Sequence, residues 1–144
     1  MRILVIDDSP AVGSAIKLRL EAGGAEVHYV ETAMAGIAAL RAEDFDLAMV
    51  DIVMPVINGI EAIRLLRQIK EDLPIIAMSG YLDQDNQTSS GGVPHIAPGS
   101  VYTLAKPFRP RDLVMAVEAC VGKPLPALPA APPGTSAGTV SLRN

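Results

Sequence analysis

The segment Ile3-Leu4-Val5-Ile6-Asp7-Asp8-Ser9-Pro10 joins an unbroken apolar run to a pair of carboxylates and then to a helix-start signal. A continuous apolar run fits a strand covered on both faces, as in a parallel sheet. Ser9 can cap a helix, and Pro10 suits its first position, where the missing N–H is not needed. Val12, Ile16 and Leu20 recur at helical spacing, and Gly23-Gly24 closes the helix. Strand, acidic turn and helix thus follow one another at the start of the chain.

The same alternation continues. Residues 27–30 read as a second strand, with His28 and Tyr29 giving it an alternating character. The Ala-rich run Ala33–Ala42 suits a helix. Residues 47–50 form a third strand that ends at Asp51, and Pro55 and Asn58-Gly59 break the chain before the next helix. There Ile60, Ile63, Leu66 and Ile69 read as an apolar stripe, with Glu61, Arg64, Arg67 and Lys70 carrying charge. Pro74 precedes a fourth strand at 75–78, and Val101–Ala105 is a fifth. A last helix begins near Pro110, with Leu113, Val117 and Cys120/Val121 on one face. The expected fold is α/β, a doubly wound five-stranded parallel sheet with helices on both sides.

Two regions interrupt the rhythm. Parallel strands need a crossover of a dozen or so residues, yet 83–100 is polar and rich in Gly, Ser and Pro, so the fourth helix is expected to be weak or irregular. Beyond Val121 the chain becomes Pro/Ala-rich, and 122–144 is expected to be an extended or disordered tail on a domain spanning 1–121.

Composition narrows the function classes. The 144 residues fit one domain, and 49% apolar content is enough for a core. The formal charge of -4 and the lack of a basic run argue against nucleic-acid binding. A lone cysteine, Cys120, excludes an internal disulfide and reads as a small core residue. No apolar run approaches the ~18 residues of a membrane span. Met1 to Ile6 is too short for a signal-peptide core, so a soluble cytoplasmic protein is expected.

The chemistry sits at the strand ends, where open α/β sheets gather their functional groups. Asp7-Asp8 follows the first strand, Asp51 ends the third, Ser79 follows the fourth and Lys106-Pro107 the fifth. Converging carboxylates repel by about 4 kcal/mol per pair at ~4 Å in an intermediate dielectric. A divalent cation and an ammonium relieve that repulsion; an all-oxygen ligand set suits Mg²⁺, and Lys106 supplies the ammonium. The same assembly suits phosphoryl transfer to an Asp nucleophile, with metal and lysine neutralising the phosphoryl oxygens. The Ser79 hydroxyl can donate to one of them, and Gly80 leaves space for a donor. Each piece alone has an ordinary explanation: Asp7-Asp8 as a solvated turn, Asp51 as a loop cap, Ser79-Gly80 as turn chemistry, Lys106 as surface charge. His28 and His95 have no second His or Cys nearby in sequence and read as structural or exposed.

Taken together, Asp7-Asp8, Asp51-Ile52-Val53-Met54-Pro55 with Asn58-Gly59, Ser79-Gly80 and Lys106-Pro107-Phe108 resemble the receiver domain of bacterial two-component response regulators, in its stand-alone form. The resemblance implies the flavodoxin-like strand order 2-1-3-4-5. It implies Asp51 as phosphoacceptor, fed by a sensor histidine kinase or a histidine phosphotransfer protein. It implies Mg²⁺ held by Asp8, Asp51 and the Val53 backbone carbonyl, with Asp7 helping directly or through water. Lys106 and Ser79 would contact the phosphoryl group, and Lys106-Pro107 would be a cis peptide. The protein would be a switch rather than an enzyme, monomeric or weakly dimeric, acting on a downstream protein that the sequence does not name. A phosphorylation-independent interaction domain and an Asp-nucleophile phosphatase are the alternatives. The second lacks a general acid, because Val53 and Ser9 stand two residues after Asp51 and Asp7.

Three departures from the family pattern stand out. Thr103 occupies the place of the usual aromatic switch, with Tyr102 beside it. The stretch between Ser79 and Lys106 is longer than usual, and the resemblance is to a receiver expected to act without an attached output domain.

Overall fold

The computed structural model describes residues 1–54, 56–80 and 101–126. Its elements run β1 (Arg2–Ile6), α1 (Pro10–Ala22), β2 (Glu26–Val30), α2 (Ala33–Ala42), β3 (Leu47–Asp51), α3 (Gly59–Ile69), β4 (Ile75–Ser79), β5 (Val101–Ala105) and α4 (Pro110–Val121). The strands form one sheet in the order β2-β1-β3-β4-β5, and every neighbouring pair is parallel. Fold class and strand order are those expected. The crossover segment 83–100, expected to carry a weak helix, lies outside the described residues.

Side chains alternate along each strand, and this builds two cores. Ile3, Val5, Leu47, Met49, Ile76 and Met78 join Ile16, Leu20, Leu113 and Val117 on the face covered by α1 and α4. Leu4, Ile6, Ala48, Val50, Ile75 and Ala77 join Ile37, Leu40, Ile63 and Leu66 on the face covered by α2 and α3. A two-sided sheet explains why β1, β3 and β4 read as unbroken apolar runs. Each fully buried aliphatic chain contributes roughly 1.5–3 kcal/mol against exposure.

The helix starts follow their caps. Ser9, Thr32 and Asn58 each accept a backbone N–H of the first turn, and Pro10 opens α1 as expected. The stripe of α3 needs correction: Gly59, Ala62, Ile63 and Leu66 are buried, whereas Ile60 and Ile69 are only partly so. The boundary expected after Val121 also moves. Leu125 is 1% exposed, joins the α1/α4 core, and its N–H donates to Glu118 Oε2 at 2.8 Å. The packed unit therefore reaches past the end of α4, while residues 127–144 lie outside the described residues.

Candidate functional site

The acids at the strand tips differ in how they are held. Asp7, one residue beyond β1, is fully buried, and Asp8 is exposed. Asp7 is gripped at four points. Its N–H donates to the Val30 carbonyl at 3.2 Å, and its Oδ1 accepts the Ser9 N–H at 2.9 Å. Its Oδ2 accepts from Lys106 Nζ at 3.0 Å, and its carbonyl accepts from the Tyr29 hydroxyl at 2.8 Å. Asp51, the last residue of β3, is 4% exposed; Oδ1 accepts the Val53 N–H at 3.3 Å and lies 3.4 Å from Lys106 Nζ. Carboxylate oxygens of Asp7, Asp8 and Asp51 all lie within 4.8 Å of one another.

Lys106 is positioned by the sheet. It follows β5, its N–H donates to the Ser79 carbonyl at 3.1 Å, and its peptide bond to Pro107 is cis. Ser79 ends β4 almost fully buried, one residue beyond Met78, the register partner of Asp51. Gly80 next to it faces open space: no described atom comes within 4 Å of where a Cβ would stand. Gly59 is the opposite case. A Cβ there would sit 2.2 Å from the Asp51 carbonyl oxygen, so only glycine lets α3 begin against the tip of β3.

The electrostatics follow from this crowding. Burial, then the Asp7 charge, pushes the Asp51 carboxyl up to about 6, against the pull of Lys106 and the Val53 N–H. One lysine shared between two buried acids does not neutralise the cluster. The donor set is oxygen-only and open on the Asp8 side, which fits a hard divalent cation.

Of the remaining expected residues, Val53 adjoins the cluster and the other described ones stand apart from it. Val53 is 49% exposed beside Asp51. Tyr102 is 43% exposed and Thr103 partly buried. His28 stands 3.9 Å from Glu43 and edge-on to Phe45, apart from the acids, and His95 lies outside the described residues. Cys120 packs against the α1/α4 core, where burial raises its thiol pKa. Tyr29 was not anticipated. Its place two residues beyond Val27 on β2 was visible, but its reach to the Asp7 carbonyl depends on the β1/β2 register.

A family model described as the response regulator receiver domain matches residues 3–118. The chain belongs to this family. Among relatives, the receiver domain is 29% identical over 121 residues to the cell cycle transcriptional regulator CtrA of Caulobacter vibrioides, covering 84% of this chain and 50% of that protein. It thus spans about half the length of that curated relative. Among solved structures, a CheY-like response regulator receiver domain from Methanospirillum hungatei superposes with a TM-score of 0.70 at 29% identity, covering 84% of this chain and 93% of that one. The chemotaxis protein CheY4 of Vibrio cholerae superposes with a TM-score of 0.71 at 23% identity, covering 83% and 97%, a likeness of fold. No helix among the described residues is long and apolar enough to cross a membrane.

Proposed function

We propose that Asp51 is the phosphoacceptor of this receiver domain and that its phosphorylation needs Mg²⁺. The observation that carries the reading is a nearly buried carboxylate at a strand tip, flanked by Asp7 and Asp8 and reached by Lys106. Asp8, Asp51 and the Val53 carbonyl would hold the ion, with Asp7 directly or through water. When bound, Mg²⁺ would draw charge from the phosphoryl oxygens as they transfer.

An Asp51 carboxylate oxygen forms the new P–O bond while the donor's P–N bond breaks, and that electron pair leaves with the donor imidazole nitrogen. Lys106 offers its ammonium to a phosphoryl oxygen, and Ser79 offers its hydroxyl to another. Contacts that exist only in the phosphorylated form then bias a two-state equilibrium. The chain acts as a switch rather than an enzyme, since the residue two places after Asp51 is the apolar Val53.

The phosphodonor is a sensor histidine kinase or a histidine phosphotransfer protein in the cytoplasm. An apolar hollow of about 480 Å³ beside Lys106, lined by Val12, Ile16, Pro107, Phe108 and Leu113, offers such a partner a surface next to the acceptor. The downstream partner is a protein rather than nucleic acid or membrane, and the domain is a monomer or weak dimer. The receiver unit comprises 1–121 together with the short segment up to Leu125, which packs on its α1/α4 core. Intact-mass spectrometry after incubation with acetyl phosphate tests the reading. One phosphoryl group should appear with Mg²⁺, and neither in EDTA nor in Asp51→Asn. Stable labelling of Asp51→Asn to the wild-type extent would refute the assignment.

A further inference from the structure

We infer that Tyr29, seated on Gly13, is a positioning residue that sets the geometry of the Asp7-Asp8 turn and thereby the affinity of the acidic cluster for a divalent cation. The inference rests on the reading of that cluster as a cation site. The Tyr29 hydroxyl donates to the Asp7 carbonyl at 2.8 Å, and that carbonyl belongs to the peptide joining Asp7 to Asp8. Asp7 is already fixed through Ser9, Val30 and Lys106. The Asp7-Asp8 peptide is therefore the link through which exposed Asp8 is aimed at the buried pair, and Tyr29 holds it.

The ring reaches this position only because of Gly13. A Cβ on Gly13 would stand 2.2 Å from Tyr29 Cε1, 2.3 Å from Cζ and 2.7 Å from Cδ1. Glycine is a poor choice inside a helix on propensity alone. Here it is buried in α1 and makes the seat for the ring. Small residue and large residue are complementary: α1 gives up a side chain so that β2 can send a hydroxyl across to the acidic turn. Because β2 pairs with β1 in parallel register, Tyr29 lies opposite Val5, two residues short of Asp7, and its length spans the difference. A hydrogen bond that organises a ligand set before the ion arrives spares the ion that work on binding.

Tyr29→Phe keeps the ring and removes only the hydroxyl. Calorimetric titration should show Mg²⁺ binding about three- to fivefold weaker than in the wild type, the equivalent of one hydrogen bond. Acetyl phosphate labelling should slow by a similar factor at subsaturating Mg²⁺ and recover at saturating Mg²⁺. Gly13→Ala, which displaces the ring, should shift the Mg²⁺ midpoint the same way. In the wild-type chain, NMR resonances of the Tyr29 ring should move on Mg²⁺ addition, a readout independent of either variant. A lowered melting temperature in Tyr29→Phe with an unchanged Mg²⁺ midpoint would make Tyr29 merely structural and overturn the inference, as would a Tyr29 ring blind to bound Mg²⁺. A wild-type chain that binds no Mg²⁺ would instead overturn the cation-site reading beneath it.

Discussion

Along β1, β3 and β4 the strand middles and the strand tips are both buried, yet they are built on opposite principles. The middles hold only apolar side chains, each sandwiched between helix layers. At or just past the tips come Asp7, Asp51 and Ser79, the buried polar or charged residues among those described. The middles gain free energy from exclusion of water. The tips lose it, because carboxylates are desolvated and crowded against one another with one lysine between them. This domain therefore uses its apolar sheet to hold together an unfavourable cluster of acids, which the proposed cation would relieve.

Breaking the middle should give the largest effect. Leu66→Ala removes a fully buried side chain from the α2/α3 core and should cost about 2–5 kcal/mol by urea unfolding. The tip should respond with the opposite sign. In EDTA, Asp51→Asn should stabilise the domain, with a ceiling of about 3 kcal/mol set by the rise of the carboxyl from 3.8 to about 6. The sign follows from the raised pKa. The folded state holds the Asp51 proton more tightly than the unfolded state, so the cost of ionised Asp51 is absent below pH 3.8 and complete above about pH 6. The gain from Asp51→Asn should therefore shrink as the pH falls through that window, read as convergence of the two unfolding curves.

How much of this contrast the sequence carried depends on how local each signal was. Unbroken apolar runs in β1, β3 and β4 report a two-sided sheet directly, and the polar residues terminating them mark the tips. Convergence of Asp7, Asp8, Asp51 and Lys106 then follows from parallel topology, since all the tips share one edge. The α3 stripe was misread because a three-residue step lags the helical repeat by about 60° each time. Ile60, Ile63, Leu66 and Ile69 thus fan around the helix, and the buried face is completed by Gly59 and Ala62. Leu125 is hidden because an apolar residue set between two prolines belongs to no helical or strand period. Tyr29 was hidden because its partner is a backbone carbonyl on another strand.

Two smaller effects sharpen the picture at the tips. Lys106→Met leaves Asp7 and Asp51 without their shared ammonium and should destabilise by about 2 kcal/mol at pH 8. That lies below the cost of breaking a fully buried pair because Lys106 keeps some contact with water. The loss should diminish in acid, as Asp51 takes up its proton. In the loop after Asp51, Val56 is fully exposed with φ 68°, a left-handed conformation hostile to a β-branched residue. Val56→Asn should stabilise by about 1 kcal/mol, visible as a higher melting temperature, because Asn tolerates that conformation.

Unfolding free energy of the wild type and Asp51→Asn, each measured with and without saturating Mg²⁺ at pH 8, tests most directly whether the tips are incomplete without a cation. The Asn variant should be the more stable in EDTA, and Mg²⁺ should stabilise the wild type far more than the variant, closing or reversing the gap. Identical responses of the two proteins to Mg²⁺, or a variant less stable than the wild type in EDTA, would contradict it.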